Sequence, residues 1–296
     1  VTPPAFLGGI RSLARRYDTF ILDVWGTLHD GVRVYPGALN ALKKLTASGI
    51  RVALLSNAPR RATPTAAMLD AMGISASLYQ HLVTSGESVH AALRDRSDCW
   101  YRHLHGPCWH LGLVRDRSIF EGLDLDLREV PRGAGFSVVT GPRLGVETVA
   151  DYQPQLDEAL AAGLPMICAN PDISVPAGDM MVTCAGAFAS YYAAQGGEVR
   201  WHGKPYPGIY DRLFSELATI TGRPVEPGQT LAIGDGLHTD IAGAAAVGID
   251  SVLLTNGVHR LELKVNWRGR PAKTALAALL ESAKAPPTYM SSRFAW

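Results

Sequence analysis

The chain has 296 residues, 47% hydrophobic and 19% charged, with a formal net charge of +1. That length suits one large α/β domain or a core domain carrying a second, and near-neutral charge without a basic block argues against nucleic acid or an anionic membrane surface as the main partner. No apolar run nears the roughly 18 residues that a bilayer span needs; the start "VTPPAFLGGIRSLARRYD" lacks a signal-peptide pattern; and Cys99, Cys108, Cys168 and Cys184 are too few for a disulfide framework, so a cytoplasmic setting is expected.

Short β-rich runs alternate with helical patterns. "TFILD" (19–23) is an apolar strand ending in an acid. "GALNALKKLTASG" (37–49) sets Leu39, Leu42 and Leu45 at helical spacing with Gly49 at its end. "IRVALLSN" (50–57) is the next buried strand, "TPTAAMLDAMG" (63–73) the next helix and "HLVTSG" (81–86) a third strand. After a long excursion come the helix "PGIYDRLFSELATITG" (207–222), opened by Pro and closed by Gly, and the strands "QTLAIGD" (229–235) and "DSVLLTNG" (250–257). The helical "DIAGAAAVG" (240–248) lies between those two strands. Strands that are apolar throughout, interleaved with helices, read as a parallel sheet covered on both faces. Within the excursion, "PCWHLG", "GFSVVTG" and "PMICAN" read as strands, and "QPQLDEALAAG" and "GAFASYYAAQGG" as helices, enough for a second α/β unit. The last residues, "APPTYMSSRFAW", read as a Pro-led tail packed on the surface or on a partner.

Three strands end in polar groups: Asp23, Ser56 with Asn57, and Asp235. In open α/β sheets the carboxyl ends of the strands face the ligand. Each group has an ordinary explanation as a cap or turn former, and Lys204 could be a solvated lysine. Together they supply what phosphoryl transfer needs. Asp23 and Asp235 can share Mg²⁺, a hard cation that prefers oxygen. Ser56, backbone N–H groups and Lys204 can hold a phosphate, and Asp23 can attack phosphorus to give an aspartyl phosphate.

The fragments "DVWGT", "LSNAPR", "GKPYPGIYD" and "IGDGLHTDIAGA", in this order at these strand ends, resemble the four motifs of the haloacid dehalogenase (HAD) superfamily. "TSGE" (84–87), "ANPD" (169–172) and "TNG" (255–257) bring the resemblance closer to subclass IIA, the NagD-like and p-nitrophenyl-phosphatase-like group. The resemblance covers most of the chain. It implies an α/β fold with a Rossmann-like parallel-sheet core, residues 1–88 and 198–296, and an inserted α/β C2-type cap, residues 89–197. It also implies Asp23 as nucleophile, and Mg²⁺ held by Asp23, the Trp25 backbone carbonyl, Asp235 and Asp240. Ser56, Asn57 and Lys204 would bind the transferring phosphate. The expected reaction is Mg²⁺-dependent hydrolysis of a small phosphorylated metabolite, a sugar phosphate or nucleotide-like compound. Caps of this type support dimers in related proteins, so a homodimer is among the expected assemblies.

One position departs from the family pattern. Most phosphatases of the superfamily carry Asp two residues after the nucleophile, where it protonates the leaving oxygen and then activates water. Here that residue is Trp25, whose indole transfers no proton at neutral pH. General acid–base help is worth about 10²–10⁴ in rate, or roughly 3–5 kcal/mol. Either the substrate has a good leaving group, or another acid such as His29 or Asp30 serves, or the chain is a weak or inactive relative that binds a phosphorylated ligand in a regulatory role. Trp25 itself would stack on a substrate ring or sugar face, or pack under the cap.

Other features carry less. Cys99, His103, His105, Cys108 and His110 in "CWYRHLHGPCWH" match no zinc spacing, and ordinary cap structure is expected. Arg115, Asp116 and Arg117 read as turn charges, with substrate contact left open. Asn170 and Asp172 could face the core site in a closed form or simply make an Asx turn, and they are read as marks of the subclass rather than as ligands. No dinucleotide or P-loop fingerprint occurs.

Overall fold

The computed structural model describes residues 4–177, 180–265 and 270–296. Residues 1–3 and 266–269 of the expected core, and 178–179 of the expected cap, lie outside the described residues. The chain first lays down β1 (Ala5–Leu7), β2 (Thr19–Leu22), β3 (Arg51–Ser56) and β4 (His81–Thr84). It then builds a second unit from β5 (Cys108–Leu111), β6 (Leu127–Arg128), β7 (Phe136–Val139), β8 (Met166–Cys168), the hairpin β9 (Ser174–Ala177) and β10 (Met180–Thr183), and β11 (Val199–Trp201). It returns to the first sheet with β12 (Thr230–Gly234), β13 (Asp250–Leu254) and β14 (Tyr289–Ser291).

The first sheet runs β1-β14-β13-β12-β2-β3-β4 with every pairing parallel. Its central strands are buried on both faces, and alternate side chains feed opposite cores. Phe20, Leu22, Val52, Leu54, Leu231 and Ile233 pack with Leu42 and Leu45 of the helix Ala38–Ala47. Ile21, Ala53, Leu55 and Ala232 pack with Leu213 and Leu217 of the helix Pro207–Thr221. This period of two is why the strands read as unbroken apolar runs. The helix Pro207–Thr221 takes Pro at its first turn and ends at Gly222, whose φ of 66° is the left-handed cap that glycine adopts without strain.

The second sheet, β11-β8-β7-β5-β6, is also parallel, so the α/β core with an inserted α/β unit is realised. β11 (Val199–Trp201) pairs with β8, which carries the inserted unit past the expected boundary at 198. The helix Ser85–Asp95 crosses the expected boundary at 88. Thr84 caps it by accepting from the Glu87 N–H at 3.0 Å, so "TSGE" is in physical terms a helix start.

The tail is a correction. It forms β14 inside the main sheet, paired with β1 on one side and β13 on the other, with Met290 and Phe294 buried. Its β-forming residues were masked by Pro286, Pro287 and the serines around them. The Cys/His segment stays structural: Cys108 packs in an apolar cluster, His110 Nε2 pairs with Thr140 Oγ1 at 3.0 Å, and His103 Nδ1 meets the Cys99 carbonyl at 2.7 Å. Among the described residues no helix is long and apolar enough to cross a membrane.

If the tail is core, truncating Met290 should cost as much as a central residue. Met290→Ala is expected to destabilise by about 2–5 kcal/mol. Ile220→Ala on the exposed side of its helix should stay within about 0.5 kcal/mol. Urea midpoints of the two variants check this, and equal midpoints would place the tail outside the cooperative core.

Candidate active site

β12, β2 and β3 are neighbours, and their register sets Ile233, Leu22 and Leu54 side by side. Asp235, Asp23 and Ser56 therefore emerge together at the carboxyl edge. The Asp23 N–H still donates to the Ile233 carbonyl at 2.9 Å, which pins the aspartate to the end of its strand. Asp240 comes from a wide turn, Leu237–Ile241, that leads into the helix Ala242–Ala246. One oxygen from each of Asp23, Asp235 and Asp240 lies within 4.8 Å of the others, and all three residues are buried.

Two of the three carboxylates are also held by backbone N–H groups. Asp235 Oδ2 accepts from the Val258 N–H at 2.7 Å, and Asp240 Oδ2 from the Gly236 N–H at 2.9 Å. The Gly26 backbone has φ 87°, and a Cβ there would sit 2.1 Å from Asp235 Oδ2, so only glycine lets the 25–26 peptide lie against that acid. Gly257 is constrained in the same way, with a virtual Cβ again 2.1 Å from Asp235 Oδ2.

Lys204 is the counter-charge. Its Nζ donates to Asp23 Oδ1 and to Asp240 Oδ1, both at 2.6 Å, and its side chain is buried. Burial opposes its charge, but Asp23, Asp240 and Asp172 hold the ammonium well above the usual lysine range. Burial, offset in part by Lys204, pushes Asp23 up to about 7. Burial and the two neighbouring acids push Asp235 well above the usual carboxylate range. One ammonium among three carboxylates leaves net negative charge in a buried place. Asp23 Oδ2 is a buried oxygen with no hydrogen-bond partner among the described residues. Hard oxygen donors, excess negative charge and an orphaned oxygen together fit a small divalent cation.

Asn57 acts differently from the expectation. Its amide hydrogens go to Asp172 Oδ1 at 3.0 Å and the Lys204 carbonyl at 3.1 Å, while its Oδ1 accepts the Lys204 N–H at 2.8 Å. The side chain brackets Lys204 rather than offering a hydrogen to phosphate. Ser56 Oγ accepts from the Ala58 N–H at 3.1 Å, which leaves its hydroxyl hydrogen to donate.

Trp25 faces the inserted unit. Its Nε1–H donates to the Pro176 carbonyl in β9 at 2.6 Å, and its six-membered ring lies where a Cβ on Gly31 would approach to 2.4 Å. His29 packs edge-on against it, with centroids 5.3 Å apart, and accepts the Gly31 N–H on Nδ1 at 2.8 Å. Burial pushes His29 down to about 4, so it is neutral at pH 7. Asp30 Oδ1 accepts from the Val32 and Arg33 N–H groups in a turn. Neither residue lines the cavity above Asp23.

That cavity holds about 280 Å³ between the two sheets' units and is bordered by Asp23, Trp25, Ser56, Asn57, Lys204, Asp235 and Asp240 from the core. The inserted unit contributes Arg115, Asp116 and Asp172 among others. Asp116 is buried, with Arg60 Nε 3.7 Å and Arg115 Nε 4.0 Å from its Oδ1. Burial, against both guanidiniums, raises it to about 6. Burial, against Lys204 and the Asn57 hydrogen bond, raises Asp172 to about 6 as well. The sequence left Asp172 open between an Asx turn and a place facing the core site, where the structure puts it, and it gave no sign of Arg60.

Comparison with known proteins agrees with this geometry. A family model described as haloacid dehalogenase-like hydrolase matches residues 20–126, and one described as HAD-hydrolase-like matches residues 201–282. Human chronophin is 28% identical over 272 residues, covering 86% of each chain. D-glycerol 3-phosphate phosphatase of Mycobacterium tuberculosis is 26% identical, over 84% of this chain and 66% of that one. NagD from E. coli shares the fold, with a TM-score of 0.61 at 20% identity over 94% of this chain and 96% of that one. A hydrolase of the haloacid dehalogenase-like family from Brucella suis superposes with a TM-score of 0.84 at 32% identity, covering 97% of this chain and 99% of that one. With that identity over nearly the whole of both chains, this chain belongs to the haloacid dehalogenase-like hydrolases.

Proposed function

We propose that the protein is a Mg²⁺-dependent phosphomonoesterase acting on a small phosphorylated metabolite through an aspartyl phosphate on Asp23. The observation that carries this reading is the Lys204 ammonium shared between Asp23 and Asp240, beside a buried Asp23 oxygen with no partner among the described residues. Asp23, Asp235 and Asp240, with the Trp25 carbonyl whose peptide lies against Asp235, would hold the cation. When bound, Mg²⁺ offsets the charge of the phosphate and of the three acids.

The chain's own groups do the rest. Lys204 favours the ionised form of Asp23 against the effect of burial and aims its carboxylate before substrate arrives. Ser56 donates its hydroxyl hydrogen to an equatorial phosphate oxygen. Asn57 keeps Lys204 in place. The inserted unit closes the cavity against water, through Trp25 and Pro176 on one side and Arg60 and Asp116 on another. A cavity of about 280 Å³ suits a small metabolite rather than a macromolecule. Three-carbon and sugar phosphatases among the relatives support that size class: besides the Mycobacterium tuberculosis enzyme, a dihydroxyacetone phosphatase of Corynebacterium glutamicum matches 33% of this chain.

A second reading, binding of a phosphorylated ligand without turnover, is favoured by one observation, the indole at position 25. Phosphate release from a panel of phosphomonoesters separates the two. Wild type is expected to turn over with Mg²⁺ and stop with EDTA, and Asp23→Asn to be inactive while still folded. Turnover that survives in Asp23→Asn would refute the aspartyl-phosphate route. Gly257→Ala drives a Cβ into Asp235 and should weaken Mg²⁺ binding roughly 10–100-fold by calorimetry. Trp25→Phe keeps the ring but loses the hydrogen bond to Pro176. One such bond is worth about 0.5–1.5 kcal/mol, so KM should rise roughly 2–10-fold with kcat little changed.

A further inference from the structure

Five carboxylates border the cavity: Asp23, Asp116, Asp172, Asp235 and Asp240. On the phosphatase reading above, Asp23 is the nucleophile, while Asp235 and Asp240 belong to the cation site. Position 25 supplies no acid, and His29 and Asp30 stand outside the cavity wall. The chemistry still requires a proton for the leaving oxygen and a base for water. Asp172 is placed to provide both.

Asp172 follows β8 on the inserted unit and lines the cavity that Asp23 borders from the core, close enough for its charge to act on Asp23. Its backbone is fixed at both ends: its N–H donates to Asn170 Oδ1 at 3.0 Å, and its carbonyl accepts from the Gly186 N–H at 3.1 Å. Gly186 has no room for a side chain, since a Cβ would lie 2.2 Å from the Pro171 carbonyl oxygen. The Asp172 carboxylate spans the seam to Asn57, which in turn grips Lys204, whose Nζ holds Asp23. Two linked side chains therefore connect the cap acid to the nucleophile. We propose that Asp172 is the general acid and base of this enzyme, occupying from the cap the role that Trp25 vacates in the core.

The step balances. A carboxylate oxygen of Asp23 bonds to phosphorus as the bond from phosphorus to the ester oxygen breaks, and protonated Asp172 gives its proton to that oxygen. The Asp172 carboxylate then takes a proton from water as the water oxygen bonds to phosphorus. The bond to Asp23 breaks, inorganic phosphate leaves and Asp172 is protonated again. Its environment suits a group that must exchange a proton near neutrality. Burial raises it to about 6, while Lys204 and Asn57 restrain the rise and Asp240 adds to it. Cys168 and Cys184, which feel its charge from β8 and from the start of the helix Ala185–Ala194, are both pushed up by burial and stay uncharged. Asp116, raised to a similar value, lies between two guanidiniums and has no link to Asp23.

Asp172→Asn, Asp172→Glu, Asp116→Asn and wild type should be compared with Mg²⁺ on glycerol phosphate, a poor leaving group, and p-nitrophenyl phosphate, a good one. Asp172→Asn is expected to lose at least about 100-fold in kcat on glycerol phosphate. On p-nitrophenyl phosphate it should release about one equivalent of nitrophenol in a burst and then slow, because water is no longer activated. The wild-type fall in kcat/KM on the alkaline side, where the acid loses its proton, should vanish with it. Asp172→Glu should recover part of the rate, and Asp116→Asn should keep the wild-type pH profile. Equal losses on both substrates with an unchanged pH profile would overturn the proposal, reducing Asp172 to a positioning residue. The same signature appearing in Asp116→Asn instead would also overturn it. If wild type releases neither phosphate nor nitrophenol from any substrate, the phosphatase reading falls, and this assignment with it.

Discussion

The site is organised around one buried ammonium. Lys204 Nζ sits 2.6 Å from a carboxylate oxygen of Asp23 and of Asp240, with Asp235 close by. Two like charges about 4 Å apart repel by about 4 kcal/mol at an effective dielectric near 20, and three acids make three such pairs. A single lysine cannot balance them. The fold accepts this imbalance because the strands that carry the acids are locked by sheet register and by apolar cores on both faces. A cluster of this kind is a cost in stability held in place by the rest of the structure, and its excess negative charge fits a divalent cation.

The same lysine joins the two units. Its main chain is bracketed by Asn57 from the loop after β3, and Asn57 also reaches Asp172 on the inserted unit. Ser85 donates to the Ala169 carbonyl, and the Arg61 N–H donates to Ser118 Oγ. The seam is therefore stitched largely by polar bonds to the loops that hold the phosphate residues. Polar seams of this kind can open and close with little loss of apolar burial, which suits a cavity that must admit substrate and then exclude water.

Much of this was legible in the sequence. Apolar runs ending in Asp23, Ser56 and Asp235 predicted strands whose tips meet, because a parallel sheet aligns its carboxyl ends whatever the loops between them do. The Pro-started, Gly-ended helix at 207–222 was equally plain. What escaped notice depended on tertiary context. β14 is three residues long and takes its stability from pairing on both sides, so "TYM" between Pro and Ser had no local signal. The hairpin β9–β10 and the edge strand β11, three or four residues each, were equally short and also went unread. Asn57 was expected at the phosphate because of where it lies in the motif, but its hydrogens are claimed by Asp172 and by Lys204, which is 147 positions away in the chain. His29 and Asp30 were near in sequence and turned away in space.

The contact between Trp25 and β9 has a consequence for how such an enzyme can change. The acceptor is the main-chain carbonyl of Pro176, not a side chain. The core thus recognises the path of the cap's backbone and is indifferent to most of what that hairpin displays. Side chains of β9 can be exchanged, and that wall of the chamber above Asp23 reshaped, while this contact to the core persists. A tryptophan at position 25 makes this one contact independent of the side chains of β9, whereas the contacts at Asp116, Ser118 and Asp172 each need their own side chain.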